Sequence, residues 1–368
     1  MKPDRKSRDL RLDSLRGLML AEITLVHINS PIGRICDEFF GRVSVAAGFV
    51  FLSGILAGAV YSRTAEQGAG AVIRRCAWRS FYIHAYHLAA FLALLSLAVL
   101  EPRAGSHFHF SFPLTLEGAT EALAWFAAWA YQPRLFDILP MYALFVLCMP
   151  AALLALRNDR GLTMLLVSFG VWALAQAGLG HVAEDASPFG LFHGGFNPLA
   201  WQFVFFSGLY FGHMHLHRGR RVVEVRPALL ALCLLVCVLG FTIRWELLPW
   251  PAVFDAGGWL ASKRDYGAAF LVNFLAFAYL VYALATRWPR AFTWSPLAFL
   301  GRHSIQVFSF HIVAVYLAAP LTSHAAAYGS WAFDALGGLL VASLFAAAWW
   351  HEKWLARVPA ARGKVVQT

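Results

Sequence analysis

The stretch Leu15-Arg16-Gly17-Leu18-Met19-Leu20-Ala21-Glu22-Ile23-Thr24-Leu25-Val26-His27 decides how this chain is read. Its apolar residues form a continuous run rather than an alternating one, which predicts a membrane-spanning helix. Arg16 and His27 lie eleven residues apart, close to three helical turns, so both side chains point the same way, about 16 Å apart along the axis. Asp13, three residues before Arg16, falls on nearly the same face. An acid, a guanidinium and an imidazole on one stripe are costly to place in lipid. They normally face a polar cavity and mark a functional path. Glu22 lies roughly 120° away from this stripe.

The rest of the chain repeats the apolar signal. Of its 368 residues 60% are hydrophobic, 15% aromatic and only 14% charged, against about 25% charged in soluble domains. Apolar runs of about 20 residues recur along the whole length, as a ~30 Å hydrocarbon core requires. β-Barrels give alternating segments of about 10 residues and do not fit. We therefore expect an all-α, polytopic integral membrane protein of about ten helices, at 13–32, 42–62, 80–100, 138–156, 162–180, 198–216, 227–246, 267–287, 303–322 and 331–351. The reading is one domain, 1–368, with a basic N-terminus at 1–12 and a tail at 352–368. The basic start runs straight into a full-length span, so no cleavable signal is expected.

The net charge of +10 does not point to nucleic acid. Most Lys and Arg fall in the loops 63–79, 157–160, 215–226 and 287–302, all on one side of the expected spans, as the positive-inside rule describes. That side is read as cytoplasmic, with both termini on it. The longest loop on the other side, 101–137, contains an apolar stretch at 119–131 expected to lie on the membrane surface or to re-enter it. The five cysteines have no metal spacing and suggest no disulfide framework. His213, His215 and His217 alternate; two residues on a helix diverge by about 200°, so they do not converge on a metal, and no metal is expected.

Several segments together resemble the OpgC family, whose members are inner-membrane succinyltransferases of periplasmic glucans, within a wider group of transmembrane acyltransferases. Arg11-Leu12-Asp13-Ser14-Leu15-Arg16-Gly17 followed by His27 is similar to the family's opening motif, and Phe49-Val50-Phe51-Leu52-Ser53-Gly54 to its second-span segment. Asp137-Ile138-Leu139-Pro140-Met141-Tyr142, Asn197-Pro198-Leu199-Ala200-Trp201-Gln202 and Leu300-Gly301-Arg302-His303-Ser304-Ile305-Gln306-Val307-Phe308 resemble later signatures. Gly48 stands where the family pattern leads us to expect an acid. Arg75-Cys76-Ala77-Trp78-Arg79 is one residue wider than the arginine pair of the wider group. The resemblance implies a bacterial inner-membrane acyltransferase using succinyl- or acetyl-coenzyme A, with a glycan acceptor on the periplasmic side.

Within that frame His27, deep in the first span, is expected to take a proton from an attacking hydroxyl or to carry the acyl group itself. Its alternative is a histidine merely hydrogen-bonded inside the bundle. Arg16 suits a phosphate or carboxylate, or pairs with Asp13; Asp13 is read as an orienting partner. Arg75, Arg79, His84 and Ser53 are candidates for the coenzyme-A site. Lipid headgroups explain the arginines without any substrate, and close helix packing explains Ser53. Asp137, Asn197, Trp201, Gln202 and His311 are candidates for the sugar site; an interfacial aromatic belt and a satisfied core histidine are their alternatives. No Gly-x-Ser-x-Gly elbow surrounds Ser53, which argues against serine hydrolase chemistry. A transporter using the same polar stripe is the competing class of function.

Overall fold

The computed structural model describes residues 9–100, 116–179, 195–248, 251 and 259–357. Residues 1–8, 101–115, 180–194, 249–250, 252–258 and 358–368 lie outside that set, including part of the loop 101–137. The described residues form helices and no strands. In chain order they are α1 (Leu10–His27), α2 (Pro31–Cys36), α3 (Val45–Ala65), α4 (Ala69–Leu100), α5 (Leu116–Ala127), α6 (Ile138–Arg157), α7 (Gly161–Gln176), α8 (Pro198–Phe211), α9 (Pro227–Arg244), α10 (Ala268–Arg287), α11 (Ser295–Arg302), α12 (Ser304–Tyr328) and α13 (Ser330–Arg357). A helix lies at each of the ten expected positions. Seven are long and apolar enough to cross a membrane. Of the other three, α1 is interrupted by charge, α7 has 16 residues, and α8 continues as a π-helical turn, Gly212–His217. The chain is an all-α, multi-pass membrane protein.

The first helix ends earlier than expected. Ser30 precedes Pro31 and caps a new short helix by accepting from the Gly33 amide at 3.1 Å; the residue before proline avoids helical backbone. Asn29 adopts a left-handed φ of 57°, and asparagine tolerates this better than most residues. His27 is therefore the last residue of α1 and stands at the end of the span.

Two helix pairs are held at backbone contact by glycine. Gly54 and Gly58 of α3 face the backbone of α8 and its continuation at Phe205, Leu209 and His213, while Gly208 and Gly212 face the backbone of α3 at Phe51 and Ile55. Two small-xxx-small patterns are thus pressed together, which lets helices associate closely where lipid gives no hydrophobic drive. In the second pair, Gly17 of α1 meets the Leu297 backbone and Gly301 of α11 meets the Asp13 backbone. The glycines beside Arg16 and Arg302 seat α11 directly against α1. That contact precedes α12, whose first turns consequently run beside the polar stripe of α1.

Candidate active site

The stripe of α1 is met by α12. The Arg16 guanidinium donates to Ser304 Oγ at 2.5 Å and lies 5.5 Å from the Phe49 ring centroid. Further along, His27 Nδ1 is 2.9 Å from His311 Nε2, with the rings stacked at 5.1 Å. Arg16 to His27 is about 16 Å of helix, whereas Ser304 to His311 is about 10 Å; the long arginine side chain bridges the difference. Asp13 is fully buried on α1, where its backbone meets α11.

The histidine pair has a direction. His311 Nδ1 is 2.5 Å from the Phe308 carbonyl, and a carbonyl oxygen only accepts, so Nδ1 carries the proton. In the neutral ring Nε2 is then a lone pair and accepts from His27 Nδ1–H. The remaining nitrogen of His27, Nε2, is left unprotonated. A backbone carbonyl thus sets the tautomer of one histidine and, through it, of the next. His311, 1% exposed, packs against His27 and is not among the residues that line the His27 cavity. Of its two sequence readings, a cavity-lining group or a satisfied core histidine, the geometry matches the second.

His27 lines a cavity of about 530 Å³ together with Tyr131, Gln132, Arg134, Asp137, Phe196 and Phe308. Asp137, a sequence candidate for the sugar site, is therefore brought to His27. Its Oδ2 accepts from the Gly195 amide at 2.6 Å, and burial pushes its carboxyl above the usual carboxylate range. Asn197, Trp201 and Gln202 are not brought there. Asn197 caps α8 through the Leu199 amide and donates to Asp265. Trp201 is fully buried and donates to the Arg264 carbonyl. Gln202 accepts from Ser168 Oγ and donates to the Ser168 carbonyl at 2.6 and 2.7 Å. Their polar groups are committed to helix packing rather than offered to a sugar.

The proposed donor residues divide. Arg75 donates to Thr64 Oγ1 and lies over the Tyr61 ring at 4.9 Å. Arg79 lies 5.8 Å from the Tyr82 ring. Tyr82 and Tyr86 both accept from the Gln306 amide at 3.2 Å, two residues from the Ser304 that holds Arg16. A polar line therefore runs from Arg79 through Tyr82 and the first turn of α12 to Arg16. Tyr82 and Tyr86 carried no sequence signal, and Gln306 was visible only inside a motif. His84 does not join this group. It accepts from Trp129 Nε1 at 2.7 Å, about 13 Å along α4 from Arg75, beside the 131–137 segment that walls the His27 cavity. Ser53 is buried next to Gly54 on the α3 face that packs on α8.

The apolar stretch at 119–131 packs inward: Phe126 on α5 is fully buried and stacks on Phe91 of α4 at 3.8 Å. A larger cavity, about 1260 Å³, lies on another face of α1, lined by Met19, Glu22, Phe51, Phe203, Phe274 and Tyr282. It holds neither Arg16 nor His27 and is mostly apolar, so size does not locate the chemistry. Among the described residues no three His, Cys, Asp or Glu side chains converge as a metal site. His213 pairs with Ser62 Oγ at 2.7 Å and His217 with Glu66 at 2.9 Å.

A comparison of the chain with curated proteins and with solved structures gave no match. The family model described as OpgC protein matches residues 8–356, which takes in α1, the histidine pair and every other helix named above except the last residue of α13. Over nearly its whole length the chain belongs to the OpgC protein family of acyltransferases.

Proposed function

We propose that the protein is an O-acyltransferase that moves an acyl group, succinyl by the family resemblance, from cytoplasmic acyl-coenzyme A to a hydroxyl of a periplasmic glucan. The observation that carries this reading is the His27–His311–Phe308 relay at the wall of a cavity large enough for a sugar unit. His27 Nε2 accepts the hydroxyl proton as the oxygen attacks the thioester carbonyl. The C–O bond forms, the C–S bond breaks, and the coenzyme-A thiolate leaves and takes up the proton from His27. His311 and the Phe308 carbonyl hold the imidazole in the tautomer that needs, as the carboxylate does in a Ser-His-Asp triad.

Arg16 lies about 16 Å from His27 along α1, at the end that carries the basic loops. With Arg79 and Arg75 nearby on α4, it binds the donor's phosphates while the thin pantetheine arm reaches toward His27. Arginine suits this role because its planar fork matches phosphate oxygens. In this reading Asp13 orients Arg16 and the start of α1, and Asp137 accepts a sugar hydroxyl. The protein sits in the bacterial inner membrane with both termini cytoplasmic.

The test uses inside-out membrane vesicles that enclose a soluble gluco-oligosaccharide and receive isotope-labelled succinyl- or acetyl-coenzyme A outside. Labelled ester on the enclosed oligosaccharide, dependent on the protein, is the expected result. Uptake of label without ester formation would instead favour a transporter.

A further inference from the structure

Three cations at the end of the bundle that holds His27 are answered by acids. Lys263 lies 2.9 Å from both Asp37 and Glu38, and Arg42 and Arg244 lie 3.5 and 4.0 Å from the same Glu38. Arg134 differs. It is the one Lys or Arg among the described residues that line the His27 cavity, and its side chain is exposed. Among the described residues no carboxylate pairs with its guanidinium. Asp137, on the same wall, instead accepts from the Gly195 amide. The Arg134 charge is also near enough to act on the His27 ring, more strongly than Lys263 does.

The local backbone fixes Arg134. The Phe136 amide donates to the Pro133 carbonyl at 3.0 Å and closes a turn. Leu135 inside that turn takes a left-handed φ of 73°, a conformation that bulky L residues adopt rarely. Such strain persists only where the surroundings over-determine it, and it collects at active sites and ligand clamps. Here the Tyr316 hydroxyl of α12 donates to the Arg134 carbonyl at 2.7 Å. The same helix orients His27 through His311, so one element fixes both base and cation.

A guanidinium without an acid on the wall of a reaction cavity suits a carboxylate or phosphate brought by the substrate. Position decides between them. Arg16 stands about 16 Å from His27 along α1, toward the basic loops, and holds the donor's phosphates in the reading above. Arg134 stands just before α6, whose far end is Arg157 in the basic loop 157–160. It therefore lies at the opposite end of the bundle from those loops, as His27 does. A thioester held at His27 points its sulfur back toward Arg16 and its acyl chain onward. In a four-carbon dicarboxylic acyl group the free carboxylate lies about 4 Å beyond the reacting carbonyl, three bonds on. A methyl-ended acyl chain or a sugar hydroxyl makes no use of the charge. We infer that Arg134 reads the acyl group, its fork closing on the distal carboxylate of a succinyl-type donor while His27 serves the hydroxyl that attacks the carbonyl. Arg134 is thus a specificity residue that selects a dicarboxylic acyl group over a simple one of equal length. This inference rests on the reading of the protein as an acyl-coenzyme A transferase.

The experiment compares succinyl- with butyryl-coenzyme A, which carries a methyl where succinyl carries its carboxylate. Binding of non-hydrolysable thioether analogues to the purified full chain in nanodiscs is measured by calorimetry. Transfer to a soluble gluco-oligosaccharide is followed by steady-state kinetics. The wild type should prefer succinyl in both assays. Arg134→Gln should reduce that preference about 10- to 100-fold, the range of one contact to a charged group. Arg134→Lys, which keeps the charge without the fork, should recover part of it. Melting temperatures should match the wild type, because Tyr316 contacts the backbone of Arg134 and not its side chain. An unchanged preference in Arg134→Gln overturns the assignment, and so does a wild type with no preference for succinyl. A raised acceptor KM with the donor preference intact also overturns it, and places the guanidinium on the glycan. A preference that falls in binding, while the wild type forms no ester from either donor, upholds the carboxylate contact and sinks the transferase reading.

Discussion

Replacing His27 with alanine should lower acyl transfer to the glycan at least 100-fold, with donor binding unchanged. A positioned general base contributes about 10²–10⁴ in rate, and among the described residues that line the cavity there is no other histidine. His311 is buried and paired to Nδ1 of His27, so it belongs to the wall behind the base. His311→Phe leaves the His27 ring without its acceptor, free to rotate or to change tautomer. A misplacement of about 1 Å costs on the order of 10²-fold, so this variant should lose kcat nearly as severely. Its KM for donor and acceptor should hold. The two substitutions together should cost little more than His27→Ala alone, because residues that act as a unit are not additive. Steady-state kinetics in detergent or nanodiscs, with melting temperatures as a folding control, check all three. A His311→Phe enzyme with full activity would remove the relay from the mechanism.

The second large effect lies in the packing of α3 on α8. Gly58→Val should destabilise the protein by about 3 kcal/mol or more, at the upper end of overpacking costs. The new Cβ would meet the Leu209 carbonyl and the His213 amide, both backbone, and neither can rotate away. Gly170→Ala on α7 is the control, since nothing lies within 4 Å of its added methyl. Thermal unfolding followed by fluorescence size-exclusion should show aggregation or a large fall in melting temperature for Gly58→Val. Gly170→Ala should match the wild type.

These two cases show what the sequence made legible. Continuous apolar runs and basic loops placed a helix at each of the ten expected positions, seven of them long and apolar enough to cross a membrane, because length and charge asymmetry are direct consequences of the bilayer. The polar stripe of α1 was legible because charged groups in lipid are so costly that few purposes justify them. The end of α1 at His27 was missed by several residues: apolar composition continues past it, and only the Ser30-Pro31 pair marks the break. For Ser53-Gly54 close helix packing was already legible as one reading, but its partner surface on α8, with Gly208 and Gly212 opposite, was not. Asn197, Trp201 and Gln202 looked like a sugar platform because amides and aromatics serve either purpose. Their hydrogen bonds tie α8 and its cap to the turn at 263–266 and to Ser168 of α7, which no local spacing encodes. The role of His311 needed the Phe308 carbonyl three residues before it on α12.

The most direct test of the central claim is nitrogen NMR of the histidine-15N-labelled protein in nanodiscs, with His27→Ala and His311→Phe used to assign the two rings. Our account predicts that, in the resting enzyme near neutral pH, His27 is protonated on Nδ1 and bare on Nε2, while His311 is protonated on Nδ1 only. A His27 ring that carries its proton on Nε2 would leave the cavity without a base and would contradict the account.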